Sequence, residues 1–149
     1  MRILETEKLF QSEDTLAQVL EECKDEFEVI DNISNNVLLS RIAQNPEEAK
    51  GALLEVTGAY SNLATILSIA ETEKKNREER EYNRLRIETE NADKKFVSAQ
   101  ADKQASGFVA PYRRVRNIIG GYTGAAEKIM SSLQSILKYE STKYNAQTQ

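Results

Sequence analysis

The sequence predicts an all-α protein, a long helical hairpin or coiled-coil pair carrying short N-terminal helices and assembling into a homo-oligomer. Three observations predict it. Apolar residues recur at three- and four-residue steps through most of the chain, which is the period of a helix with one buried face. There is no Trp, with only four Phe and six Tyr, so apolar contact must come from Leu, Ile, Val and Ala along helix seams. Hydrophobic residues make up 40% against 30% charged, enough for helices that bury one side and too apolar for disorder. At 149 residues the chain is one domain long, divided into an acidic helical region over 1–44 and the long hairpin over 45–149.

Ser12 is a good N-cap, and Leu16, Val19, Leu20, Cys23, Phe27 and Ile30 follow it as one amphipathic helix that stops at Asp31-Asn32. A short helix over 35–43 carries Val37, Leu38 and Ile42. Asn45-Pro46-Glu47-Glu48 is the clearest start signal: an Asn cap, Pro in the first turn and acids at the positive end of the helix dipole. Glu48 stands where a capping-box carboxylate reaches back to the cap. The helix that begins there extends to about Glu88, on the order of 65 Å at 1.5 Å per residue. Its seam runs Leu53, Val56, Tyr60, Leu63, Leu67, Ala70 and, continued by the same rule, lands on Lys74, Arg77, Glu81 and Arg84.

Thr89 to Asp93 lacks an apolar period and reads as a break. Ser98 caps a short helix Ala99–Ala105, which Ser106-Gly107 ends. Ala110-Pro111 opens the last helix, whose seam passes Val115, Ile118, Ile119, Tyr122, Ala126, Ile129, Leu133, Ile136 and Leu137 before it ends near Tyr144. Gly120, Gly121 and Gly124 each cost about 1 kcal/mol against Ala in a helix, which points to close approach of a neighbouring helix, with a kink as the alternative. The two seams pair as a hairpin, with the N-terminal helices packed across one end. Such a hairpin leaves seam surface open, so Leu53, Tyr60, Leu63, Leu67, Tyr122, Ile129, Leu133 and Leu137 are expected at core and oligomer contacts.

Several function classes are disfavoured. The chain has no His, removing the commonest general base and metal ligand, and its single Cys excludes both a disulfide and a cysteine zinc site. Gly120-Gly121 lacks the GK[ST] ending of a phosphate loop. The expectation is therefore no catalytic residues, no metal, no cofactor and no enzyme activity, with Cys23 a buried small hydrophobe. The N-terminus is too acidic for a secretory signal, and the apolar run from Leu63 to Ala70 falls short of the roughly 20 residues of a spanning helix, so a cytoplasmic protein without membrane contact is expected.

Charge supplies the first functional clue. Residues 1–48 hold four Lys/Arg against twelve Asp/Glu, while residues 49–149 hold sixteen against twelve, so an overall charge of −4 hides a basic remainder. The densest basic cluster is Arg113, Arg114 and Arg116, with Lys94, Lys95 and Lys103 upstream and one acid, Asp102, in the whole of residues 94–116. Guanidinium groups this close suit phosphates, which they fork bidentately; a solvated face is the alternative. A second candidate is Lys74, Lys75, Arg77, Arg80, Arg84 and Arg86, with Tyr82 to stack on a base, although Glu78, Glu79 and Glu81 lie among them. Glu21, Glu22, Asp25, Glu26 and Glu28 make an acidic helix that either docks on a basic protein or faces water.

Tyr60-Ser61-Asn62-Leu63, then Ile69-Ala70-Glu71-Thr72-Glu73-Lys74-Lys75, Glu81-Tyr82-Asn83-Arg84-Leu85-Arg86, Phe96-Val97-Ser98-Ala99-Gln100, and the helix from Tyr112 onward to Ser141 occur in this order. The order resembles that of the UvsY-type phage recombination mediators, over roughly the last hundred residues. The resemblance implies an oligomeric, often ring-like, non-enzymatic accessory protein that binds single-stranded DNA, remodels single-strand-binding protein and helps load a RecA-like recombinase. It also implies that Lys74 to Arg86 is the DNA-contacting stretch. The interleaved glutamates depart from the family and make Arg113, Arg114 and Arg116 rivals. The alternatives are a phage-encoded helical adaptor or inhibitor of a host defence or replication protein, and a virion-assembly chaperone.

Overall fold

The computed structural model describes residues 3–148, with the side chains of residues 36–39 outside that description. Among the described residues every regular element is helical: α1 (Ile3–Leu9), a 3₁₀ turn (Glu13–Thr15), α2 (Leu16–Glu22), α3 (Lys24–Ser34), α4 (Asn36–Ala43), α5 (Pro46–Asn91), α6 (Ser98–Phe108) and α7 (Ala110–Gln147). The all-α expectation holds.

α5 and α7 lie antiparallel. The Tyr60 hydroxyl donates to Glu127 at 2.9 Å, Leu67 lies beside Gly120, and Arg77 lies over Tyr112. The buried residues of α5 step by three and four through Ala49, Ala52, Val56, Ala59, Leu63, Ile66 and Ala70, and those of α7 through Tyr112, Val115, Ile119, Thr123, Ala126, Ile129 and Leu133. This is a heptad seam, with small Ala on one helix facing larger Ile and Leu on the other. Full burial of Leu63, Ile66, Ile119 and Leu133 contributes roughly 1.5–3 kcal/mol each. Of the expected seam residues, Leu63, Ile129 and Leu133 are buried, while Leu53, Tyr60, Leu67, Tyr122 and Leu137 are half-buried against the core.

The N-terminal helices do not sit across one end. They run lengthwise, antiparallel to α5: Phe10 and Gln11 lie at Arg77, Glu26 at Asn62 and Arg41 at Glu48. The reason is the length of their apolar stripe. Phe10, Leu16, Val19, Cys23, Ile30, Ile33 and Ile42 are all buried, and only the groove along the hairpin is long enough to cover them. The hairpin face expected to be open is thus filled by the chain itself. Phe27 stacks on Tyr122 with centroids 4.0 Å apart, closing α3 onto α7.

Local departures have physical causes. The single helix expected after Ser12 is divided at Cys23, whose φ of −90° and ψ of 1° turn the axis, so that α2 packs on α7 and α3 on both long helices. Ser12 does cap, accepting from the Asp14 N–H at 3.3 Å, but it caps the 3₁₀ turn, and α3 continues to Ser34. α1 precedes it unanticipated. The backbone of α4 lies as expected, with Ile42 buried, whereas Val37 and Leu38 fall outside the described residues.

Asn45 caps α5 by accepting from Glu47 and Glu48 N–H at 3.1 and 3.4 Å. Glu48 does not complete a capping box, because its carboxylate takes Arg41 at 3.2 Å and the Asn45 N–H already bonds Ile42. α5 ends at Asn91, where Asp93 adopts φ 51° and the Lys94 N–H bonds the Thr89 carbonyl at 3.0 Å, a left-handed helix stop. Ser98 is inside α6 rather than capping it, its hydroxyl held 3.0 Å from the Tyr82 hydroxyl. α6 runs through Ser106-Gly107, and the returning arm breaks instead at Val109, beside the Pro111 that cannot donate to the previous turn.

Close packing within the chain accounts for little of the glycine cluster. A Cβ on Gly120 would meet Leu67 Cδ1 at 3.5 Å, an ordinary contact, and one on Gly121 or Gly124 would meet nothing within 4 Å. Nor is there a break, since α7 is continuous past all three. The apolar part of α5 is long and apolar enough, by length and composition, to cross a membrane, yet its Ala49–Ala70 side is the one that packs on α7 and α3.

Candidate nucleic-acid interface

Beyond the Arg77 turn, where α1 and the start of α7 still touch it, α5 projects with α6 against it, and most of the candidate cations lie on this projection or at its base. Four of the six cations in the α5 set are neutralised locally. Lys74 pairs with Glu78 at 2.5 Å, Arg77 with Glu73 at 3.6 Å and Arg86 with Glu90 at 3.9 Å. Arg84 bonds Glu81 at 2.6 Å and also Glu88. These are the three- and four-residue pairs by which a polar helix supports itself in water. The Arg84 hydrogen bond holds the Glu81 carboxyl below its usual range, and both glutamates keep the guanidinium protonated.

Two members of this set face inward. Arg77 donates to the Phe10 and Gln11 carbonyls at 3.0 and 2.6 Å, so it latches the end of α1 onto α5. Tyr82, half-buried, meets Phe96 edge-on at 5.6 Å and takes part in the Ser98 hydrogen bond; it packs the projection together. Lys75 and Arg80 make no ion pair among the described residues, but Lys75 lines the α5–α6 groove in company with Glu78, Glu79 and Asp102.

The returning arm differs. Lys94 and Lys95 are exposed at the turn, fixed by the left-handed stop before them, and have no acid within ion-pair distance among the described residues. They border a cleft of about 280 Å³ lined by Leu85, Thr89, Phe96, Val97, Gln100 and Gln104, apolar walls with two carboxamides. Lys103 is exposed on the side of α6 away from Ala101 and Ala105, which face α5. Arg113 is taken up: it donates to the Ser106 carbonyl and hydroxyl at 2.8 and 2.5 Å and lies 3.8 Å from Glu78. Among the described residues Arg114 is exposed without an ion pair, and Arg116 is half-buried with a buried Nε lacking a hydrogen-bond partner. The arrangement suits backbone phosphates at the turn and a flat apolar group in the cleft.

Residue spacing gave no sign of the buried Glu26, whose Oε1 accepts from the exposed Asn62 at 3.0 Å, because Glu26 looks like one more solvated glutamate in an acidic helix. Its place at the junction with α5 could be read only by counting from Cys23 and Ile30 on the buried stripe. Cys23 is fully buried, and desolvation, reinforced by Glu26 and Glu22, pushes its thiol to about 12. Among the described residues no three His, Cys, Asp or Glu side chains converge as a metal site. No protein-family model matches the sequence, and no match was found among curated proteins or solved structures.

Proposed function

We propose that this chain is a non-enzymatic accessory protein of recombination or replication, which binds single-stranded DNA and assists a RecA-like recombinase or remodels single-strand-binding protein. It works as a cytoplasmic homo-oligomer, as the UvsY-type resemblance implies. One observation supports the binding reading above the rest. Lys94, Lys95 and Lys103 stand exposed and without an ion pair among the described residues, on an arm with one acid in residues 94–116, beside a cleft with aromatic and carboxamide walls, whereas the Lys74–Arg86 set is largely neutralised. Contacts of this kind follow the sugar-phosphate backbone with little sequence preference.

Fluorescence anisotropy with a labelled single-stranded oligonucleotide tests it. Three lysines per subunit give a log–log salt slope near −2, so binding weakens about 20-fold between roughly 50 and 200 mM salt, and a few hundred-fold if two subunits engage one strand. Absence of binding at low salt ends the proposal. An adaptor that docks through the exposed acids Glu21, Glu22, Asp25 and Glu28 is the second reading, favoured by their lack of ion pairs among the described residues. It predicts a stoichiometric protein partner retained after nuclease treatment.

A further inference from the structure

We propose that the outer groove of α7 against α2 and α3 is a two-fold interface for a second copy of this chain, centred on Ile118. The proposal rests on the self-association in the preceding reading and is independent of its nucleic-acid part.

The groove has two halves that share one side chain. Toward the start of α7, Ile118 is joined by Leu20 over a floor of buried Leu16 and Val115; toward its middle, by Ala125 over buried Ile30. The α7 face concerned runs from Ala110 to Ala125, about 22 Å at 1.5 Å per residue. Ile118 is only half-buried at its centre.

Charge selects the occupant. Arg114 stands four residues before Ile118, exposed and without an ion pair among the described residues, with Glu13 on the same rim beyond ion-pair distance. Tyr122 stands four residues after it and donates to Asp31 Oδ2 at 3.0 Å, and Asp31 is exposed with no ion pair of its own among the described residues. Opposite charges thus flank one apolar centre, Arg114 about 6 Å along the axis on one side and Asp31, held by the Tyr122 hydroxyl, on the other. A two-fold axis through Ile118, with the two α7 helices antiparallel, sets Arg114 of each copy against Asp31 of the other and makes the same pair twice. A partner bearing one sign of charge leaves one end unmatched. Gly121 fits this arrangement: it lies in the groove, nothing of its own chain comes within 4 Å of a Cβ there, and its bare backbone admits a second helix at close range. Arg114 then belongs to the interface rather than to the DNA-binding set.

Sedimentation velocity of the full chain without oligonucleotide tests the proposal. The expected result is a reversible dimer whose dissociation constant rises about tenfold or more in each of R114D and D31R and returns to near the starting value in the D31R/R114D double variant. Ile118→Cys in a Cys23→Ala background is expected to give a disulfide-linked dimer on mild oxidation, with circular dichroism confirming that each variant keeps its helices. A wild-type chain that stays monomeric at about 100 μM overturns both this interface and the self-association it rests on. A wild-type oligomer overturns this interface alone if the charge variants leave it unchanged, if the double variant fails to restore it, or if the cysteines do not link. Oligonucleotide binding, read separately by anisotropy, is unaffected by that outcome.

Discussion

The guanidinium carbon of Arg77 lies 4.4 Å from the centroid of the Tyr112 ring, placing one cation between the two long helices while its amino group bonds the carbonyls that end α1. A residue expected in a DNA-binding row is therefore a three-way joint. Its geometry depends on a planar fork that lysine cannot reproduce.

Arg77→Ala removes two charge-assisted hydrogen bonds and the ring contact, and is expected to cost about 2 kcal/mol, or roughly 4–8 °C in Tm. Arg77→Lys recovers less than half of that. Urea denaturation measures both, and unchanged stability in Arg77→Ala would show that α1 is not latched this way.

Lys94→Glu/Lys95→Glu is expected to lower single-stranded oligonucleotide affinity at least about tenfold and to flatten the salt slope by between 1 and 2, at an assay salt near 50 mM. Arg84→Gln/Arg86→Gln, which removes cations already held by Glu81, Glu88 and Glu90, is expected to change affinity about threefold or less. Anisotropy titrations at several salt concentrations compare them. The reverse ranking would move the interface to α5.

Cys23 gives a pH dependence whose sign is fixed. Its thiol remains protonated in the folded state up to about 12, against a reference of 9.0. Between those values the unfolded chain has lost a proton that the folded chain keeps, so stability falls as pH rises, by about 1.4 kcal/mol per unit. Below the lower value the thiol adds no slope. The difference in urea midpoint between wild type and Cys23→Ala, followed from pH 8 to 11, isolates this group from the tyrosines. Parallel curves would refute it, as would fast labelling of the native thiol at pH 8 by a disulfide reagent.

Gly124→Ala is expected to stabilise the chain by about 0.5–1 kcal/mol, because the helix gains a better former and the added methyl meets nothing. Gly120→Ala should gain as much or slightly less, against the flexible end of Leu67. Thermal unfolding decides; a loss at Gly124 would mean that its face is covered in solution.

The parts legible in the sequence were those governed by local chemistry. The Asn45-Pro46 start, the three- and four-residue seams and the Ala110-Pro111 restart all follow from rules acting within one or two turns. The course of the N-terminal helices was not legible, because Cys23 is an unremarkable apolar residue in sequence and becomes a bend only when α2 and α3 are drawn to different neighbours. The fate of the cations was half legible. Glutamates three and four residues from Lys74, Arg84 and Arg86 announce ion pairs on any helix, whereas Arg77 turns inward because of Phe10 and Tyr112, which lie far away in the chain.

α5 passes from a region where two other layers cover it to one where α6 alone lies against it, and its buried residues cease at Ala70. The backbone bonds of one continuous helix therefore have unequal protection. Amides of the Val56–Ile66 turns should exchange with solvent deuterium only through global unfolding, while those from Arg84 to Glu90 open by fraying from the outer end. The protein would thus melt along its length, losing the lysine-bearing turn before its bundled base.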